Sequence, residues 1–394
     1  MNKEFIVPLY WSAPYQTEVI ARITSVRKNE LQFNQTLFYP GGGGQLSDTG
    51  SIIYLDEEFP IIETYKDEEG IWHKLDIKKN ITFQENQDVL LRLDWSKRYS
   101  YMKPHSAQHL LSHLFHKMNN CDTEKANFDE LRIEIELSKN LAVNQILKVV
   151  NETNRIIEQG AEVRSIIVDQ EEYSKEYLSR TRGKKSKEGF VRLIELGGEE
   201  GFDLVCCGGV HVKNLSEIKG VFLESKKEHT LKFLVNQKGL LFANEQRGLM
   251  LKLEEITTKK GEKLLEIVEN KIKENEILQF NSVNLLRLIF QNIQPYCKKI
   301  NGYSFTSFTL PEIDRLHIQS AAKELDSDIF VAIHGRNEIL YLISTNGKLP
   351  ANEITNTLIE KIGTKGGGNK GFAQLSIKNV KEPLQLVEEI ISSL

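Results

Sequence analysis

Apolar and polar positions change period several times along the chain, and those changes divide it into segments. Up to about Asp94, short runs such as Glu18-Val-Ile-Ala-Arg-Ile-Thr-Ser-Val and Asp88-Val-Leu-Leu-Arg-Leu-Asp carry alternation or β-branched density, with turn formers such as Asp67-Glu-Glu-Gly70 between them. Strands joined by turns read this way, and a small β-barrel over 1–94 is expected. After Pro104 the apolar residues Leu110, Leu111, Leu114 and Phe115 follow helical spacing, and the proline suits a first helical turn. Glu130 to Leu137 alternates like a half-buried strand, Asn144 to Gln159 is helical, and Glu162 to Val168, Phe202 to Cys206 and Gly220 to Glu224 are strand-like. Helix and strand interspersed with hairpin-length gaps predict an α/β layer with antiparallel pairing over 95–241. Phe242 to Phe290 is charged and helix-favouring, but its stripe (Leu249, Leu253, Ile256, Leu264, Ile267, Ile272) is too irregular for a long coiled coil. A helical linker or hairpin over 242–290 is expected, then an α/β domain over 291–394 with a strand pair Val331–His334 and Ile339–Ser344 and a final helix from Pro383. The predicted fold class is α+β.

A chain of 394 residues is too long for one ordinary core. Its net charge of −4 gives no global attraction to a polyanion, so any nucleic-acid surface must come from local basic patches. Acidic and polar residues interrupt the N-terminus at once, and no apolar stretch is long enough to span a bilayer, so a cytosolic protein without a membrane partner is expected. Four cysteines (Cys121, Cys206, Cys207, Cys297) do not make a disulfide framework in so long a chain. In a reducing compartment, a cysteine beside glycines and a histidine reads as a metal ligand or a reactive thiol.

Two motifs carry that chemistry. His105-Ser-Ala-Gln-His109 places two imidazoles four apart, on one face of a helix, and Cys207-Gly-Gly-Val-His211 adds a thiolate and a third imidazole. Three nitrogens and one sulfur form a tetrahedral set that favours Zn2+ over the oxygen-seeking magnesium and calcium. His113 continues the same series and is an alternative ligand. Cys206 and Cys207 point to opposite faces if extended, and the spacing to His211 selects Cys207, leaving Cys206 for the core. Four protein ligands saturate the ion as in a structural site, and a catalytic ion needs one of them loose, His211 or His105 being expected. The absence of His-Glu-x-x-His excludes the common peptidase arrangement.

Three further segments stand out. Gly41 to Gly44 form a run that is neither regular strand nor helix. It makes either a tight loop or a bare backbone, at Gly43 and Gly44, that a ligand can approach, with Gln45 offering donor and acceptor together. Asp48 reads as a turn former. The segment Arg180, Arg182, Lys184, Lys185 and Lys187 contains no acidic residue and is either a solvated loop or a phosphate-binding patch. Lys365-Gly366-Gly367-Gly368-Asn369-Lys370 combines two cations with a possible backbone nest suited to a nucleic-acid backbone.

The ordered set of motifs resembles a known family. His-x-x-x-His followed by Cys-Gly-Gly-x-His is similar to the editing domain of alanyl-tRNA synthetase and its free-standing relatives, the AlaX proteins. Phe38 to Gly50 resembles their glycine-rich motif, and Lys365 to Gln374 the glycine motif of the DHH-associated C-terminal domain. No aminoacylation domain fits ahead of residue 38, so the chain resembles the long form of AlaX, acting in trans. The resemblance implies an N-terminal barrel, an editing domain, a helical linker and a C-terminal α/β domain. It also implies a zinc-dependent hydrolase that deacylates tRNA(Ala) carrying serine, or glycine, with Gly43, Gly44, Gln45 and Val210 at the amino acid. Val210 stands where the family usually has threonine, and the lost hydroxyl bears on serine preference. The basic residues above would hold the tRNA, the 242–290 helices make a homodimer plausible, and the catalytic groups beyond the metal are unassigned. The alternative reading is a non-catalytic, zinc-containing tRNA-binding protein.

Overall fold

Val89, Leu91 and Leu93 point inward along β6 (Asp88–Leu93), and period-two burial recurs in the strands that pair with it. In the computed structural model, β1 (Glu18–Arg27), β2 (Glu30–Phe33), β3 (Gly50–Tyr54), β4 (Glu57–Lys66), β5 (Ile71–Leu75) and β6 close in the order β1-β2-β5-β4-β3-β6. Closure removes both sheet edges, so a small sheet exposes no unpaired strand. A short helix, α1 (Leu9–Ser12), precedes the barrel. The structure describes residues 7–77, 81–182, 189–198, 201–293, 297–310, 313–323, 325, 327–334, 338–378 and 380–394. They group into two compact units, Met1–Leu251 and Lys252–Leu394.

The barrel hands over to α2 (Trp95–Asn119), which starts nine residues earlier than Pro104 suggests. Asp94 caps it by accepting the Lys97 N–H, and the left-handed Asn120 ends it. Pro104 therefore lies inside the helix, where it deprives the Ser100 carbonyl of its usual donor. That carbonyl is satisfied from outside, by the N–H of Leu131 at 3.3 Å. A tertiary hydrogen bond replaces the helical one, which local spacing alone does not reveal.

Ile133, Ile135 and Leu137 of β8 (Arg132–Leu137) are buried while their neighbours are half-exposed, as the alternation predicts. β8 lies beside β7 (Thr123–Asp129) in a four-stranded antiparallel sheet completed by β12 (Val221–Lys227) and β13 (Thr230–Val235), in the order β12-β13-β8-β7. The amphipathic α3 (Val143–Gln159) buries Ile146, Val149, Val150 and Ile157 in the same core as these strands and α2. A second, three-stranded sheet runs β11-β10-β9, from β9 (Val163–Asp169), β10 (Phe190–Leu196) and β11 (Asp203–Cys206), with the short α4 (Gln170–Glu172) after β9. The chain then leaves β13 directly into α5 (Asn236–Thr257).

In the second unit, α6 (Glu262–Ile293) and α7 (Arg315–Ala322) bury Leu286, Phe290, Ile318 and Ala322 against Phe330, Ala332 and Ile343. The sheet carries β14 (Lys298–Ile300), β15 (Tyr303–Leu310), β16 (Ile329–His334), β17 (Ile339–Ser344), β18 (Gly366–Gly368) and β19 (Phe372–Ser376), in the order β14-β15-β16-β17-β19-β18. Only β15 and β16 pair in parallel among them. Ile329 and Val331 face the opposite way from Phe330, into a core shared with α8 (Ala351–Ile362) and α9 (Pro383–Ser392). Both faces of β16 are therefore covered, which is why its sequence is continuously apolar. On α6, Leu265, Val268, Ile272 and Leu278 are exposed, the kind of face on which the expected homodimer would draw.

Candidate metal centre

His105 and His109 lie one turn apart on α2, and the turn after β11 brings Cys207 and His211 to them. The four ligand atoms all lie within 4.8 Å of one another. Nε2 of His105 and Nε2 of His211 each approach Cys207 Sγ to 3.3 Å. For tetrahedral zinc, with bonds of about 2.0 Å to nitrogen and about 2.3 Å to sulfur, the N···S edge is roughly 3.5 Å. The spacing fits such an ion. His109 Nε2 is buried without a hydrogen-bond partner, as a lone pair reserved for a metal would be.

The hydrogen bonds behind the ligands fix which nitrogen faces inward. Gln45 Oε1 lies 3.0 Å from the backbone N–H of Val210, an obligate donor, so this atom is an acceptor. The same oxygen lies 2.7 Å from Nδ1 of His105. Nδ1 therefore carries the proton and Nε2 presents its lone pair to the cluster, the arrangement that orients metal-bound histidine. Ser106 plays the matching part for His211, its hydroxyl lying 3.2 Å from Nδ1 while accepting the Val212 N–H. His105 and His211, expected to be the loosest ligands, are thus the two histidines with outer hydrogen bonds to their Nδ1 atoms.

Burial sets the protonation. It pushes His105 and His211 well below the usual imidazole range and His109 down to about 4, so all three are neutral near pH 7 and able to coordinate. Burial also raises the Cys207 thiol, against the lowering effects of the Arg192 cation and the Gly209 N–H, which reaches Sγ at 3.4 Å. A soft divalent cation is the group that converts such a thiol to thiolate. Gly209 has no room for a side chain: a Cβ there would lie 2.6 Å from His105 Nδ1 and 2.8 Å from Gln45 Oε1.

The cluster borders a cleft of about 490 Å³, lined by Gln108, His109, Ser112, Thr123, Lys125 and Arg182 among others. His113 stands apart from the four, its Nδ1 3.2 Å from Asp203 Oδ1. Cys206 turns the other way, with Sγ 3.7 Å from the Tyr173 hydroxyl. Cys206, expected in the core, is instead half-buried and lines the cleft, while Cys207 is the thiol that faces the histidines.

The family model described as tRNA synthetases class II (A) matches residues 10–97. Over nearly its full length the chain is similar to the alanyl-tRNA editing protein AlaX-L of Pyrococcus horikoshii, 26% identical over 402 residues, with 93% of each chain covered. It is also similar to the alanine–tRNA ligases of Sulfurisphaera tokodaii (27% identical over 412 residues) and Ignicoccus hospitalis (24% over 408 residues). It covers only 44% and 43% of those two proteins, under half their length, while 98% of this chain is matched.

Other residues expected at the site are distributed unevenly. Gly43 and Gly44 form the exposed tip of a tight turn closed by paired Gly42 and Gln45 backbone hydrogen bonds, next to the buried Gln45. Val210 is fully buried in the apolar core and offers its amide, not its side chain, to Gln45. Arg180 is exposed. Arg182 is tied by its guanidinium to Asp203, and burial, which would raise that carboxyl, is outweighed by the hydrogen bonds from Arg182 and His113 that hold it at about 2. Lys184, Lys185 and Lys187 lie outside the described residues. Lys365, Asn369 and Lys370 are exposed in the second unit, while Gly366, Gly367 and Gly368 form β18, paired to β19, in place of the expected nest. A regular edge strand forms because the glycines let it approach β19 closely.

Sequence reasoning missed two arginines. Arg192 is buried on β10 and donates to the carbonyls of Cys207 (2.9 Å) and Gly209 (2.6 Å) and to Ser165 Oγ. Burial lowers its pKa to about 10, opposed by Cys207, and it remains a cation. Trp11 adds its indole N–H to the Gly208 carbonyl at 2.7 Å, so the carbonyls of all three residues from Cys207 to Gly209 are held from outside. A lone arginine within Phe190-Val-Arg-Leu-Ile-Glu-Leu was the available signal. The other is Arg98, whose buried ion pair with Asp48 overrides the reading of Asp48 as a mere turn former.

Proposed function

We propose that this protein is a trans-editing hydrolase that removes the wrong amino acid, serine first and glycine second, from tRNA(Ala), with zinc held by His105, His109, Cys207 and His211. The observation that carries the reading is the convergence of those four ligand atoms within 4.8 Å, beside an accessible cleft, in a chain similar to AlaX-L along its length. A bound zinc ion supplies Lewis acidity for an ester carbonyl or for water. The chain supplies the rest. Gln45 and Ser106 orient the imidazoles, Arg192 braces the turn that carries the thiol, and the exposed Lys125 lines the cleft as a cation for a phosphodiester chain. The full burial of Val210 supports a packing role in the turn, under which replacing threonine leaves serine preference intact.

Purified, zinc-loaded protein is expected to release serine from seryl-tRNA(Ala) and to leave alanyl-tRNA(Ala) charged. No turnover of the seryl substrate would overturn the hydrolase reading. A second reading, a non-catalytic tRNA-binding protein, is favoured by one feature: four protein ligands saturate a tetrahedral ion. Cys207→Ala separates the two. Lost deacylation at an unchanged melting temperature supports catalysis, whereas collapse of the fold, or tRNA binding without turnover in the parent, supports the structural ion.

A further inference from the structure

The glycine-rich loop reaches the metal cluster through one side chain, Gln45, whose Oε1 bridges the two ligand-bearing segments by accepting from His105 Nδ1 and from the Val210 N–H. Gln45 sits beside the tip of the long loop that joins β2 to β3, and its reach depends on how the base of that loop is held. The base is the pairing of Tyr39 with Asp48. The Asp48 N–H donates to the Tyr39 carbonyl at 3.0 Å, and the Tyr39 N–H donates to Asp48 Oδ2 at 2.6 Å. The tip is tied back by the Tyr39 hydroxyl, which donates to the Gly42 carbonyl at 2.9 Å.

Arg98 fastens this base to the metal helix. It lies on α2 seven residues before His105, two turns away on the same face. Its Nε donates to both carboxylate oxygens of Asp48 at 2.9 and 3.0 Å, and Nη2 also donates to Oδ2. The remaining donors reach the Leu37 carbonyl at 2.6 Å and the Pro14 carbonyl at 3.0 Å. Both side chains are 1% exposed. One guanidinium thus gathers both sides of the loop base, Leu37 and Asp48, onto the helix that carries two ligands. Such a fork fixes orientation as well as distance.

We propose that Asp48 and Arg98 are positioning residues for the metal centre: their buried ion pair sets the glycine-rich loop in the register that lets Gln45 hold His105 and the Cys207–His211 turn together. The proposal rests on the metal-site reading above. It differs from a plain stabilising role in one respect, that the effect on the cluster passes through Gln45.

The test uses the full chain with cobalt(II) as the probe, its dissociation constant set by chelator competition and its visible absorption recorded at saturation. Asp48→Asn is expected to weaken cobalt binding roughly 10–100-fold, the usual scale for losing an outer-shell partner. Gln45→Ala should cost about the same, and the double variant should be no weaker than the poorer single one, because both remove one linkage. Losses that multiply would overturn the proposal, as would a parental cobalt affinity in a folded Asp48→Asn chain. Where Asp48→Asn does not fold, Arg98→Lys, which keeps the charge and loses the fork, is measured in the same way. Hydrogen exchange gives a metal-free readout: the Val210 amide should lose protection in Arg98→Lys while β13 amides keep theirs, and unchanged Val210 protection would overturn the linkage. Failure of the parent chain to bind cobalt would overturn the metal-site reading itself, and is distinguishable because the exchange result stands without metal.

Discussion

Four glycines at 41–44 and three at 366–368 sit in backbones of different kinds. All four in the first run have positive φ, from +58° at Gly43 to +125° at Gly42, a conformation that L side chains rarely adopt. In the second run only Gly367 departs from ordinary strand geometry, and the constraint is instead the partner strand: a Cβ at Gly366 would lie 2.6 Å from Leu375 Cβ, and one at Gly368 2.6 Å from Ala373 Cβ. The first run spends its glycines on turning the chain, the second on close approach. The tip of the first lies beside the buried Gln45, and β18 is an edge strand with solvent on its free side. Two segments that look alike in composition therefore differ in what a substitution should do.

The largest effect is expected at Gly44, where both constraints coincide. Its φ is +91°, and a Cβ would lie 2.7 Å from the Ala126 carbonyl oxygen and 3.3 Å from the Phe128 ring. Phe128 in turn stacks on His105 with ring centroids 4.4 Å apart. Gly44→Ala should cost about 2–4 kcal/mol, from left-handed strain together with overpacking. Because the displaced loop carries Gln45, cobalt affinity should fall with it. Urea unfolding and cobalt titration check the two parts, and unchanged affinity would break the link between loop and cluster.

Local patterns reveal little of this difference. The clustered side chains were legible because His105/His109 and Cys207/His211 are each four apart, a spacing that survives any tertiary arrangement. β8 and α3 were legible because one apolar face dominates their period. The start of α2 at Trp95 was not, because Pro104 reads as a first-turn residue until Leu131 is known to satisfy Ser100. Nor was the Asp48–Arg98 pair, which spans 50 positions, and β18 was hidden because three glycines carry no strand propensity of their own. What escaped is set by partners distant in sequence.

Gly366→Ala comes next and should act only on the second unit. No left-handed strain is involved, and an edge strand can shift away from the clash, so about 1–2 kcal/mol is expected. Amide exchange should quicken at Gln374 and Ala373, partners of Gly367 and Gly368 in the ladder, while cobalt affinity stays at the parental value. A loss of cobalt affinity would erase the distinction between the two glycine segments.

The smallest effect belongs to Gly43, although it sits in the more constrained of the two runs. Its φ of +58° lies at the centre of the left-handed region, and a Cβ there would meet nothing within 4 Å. Only the intrinsic strain of that region remains, about 1–2 kcal/mol for alanine. Asparagine tolerates the region better and should cost less still. Gly43→Asn should therefore leave cobalt affinity and the melting temperature close to the parent, whereas Gly44→Ala, one residue away, loses both. A large loss of cobalt affinity in Gly43→Asn would mean that the tip needs flexibility rather than a fixed turn, and the reading of the first run as a rigid holder of Gln45 would fall.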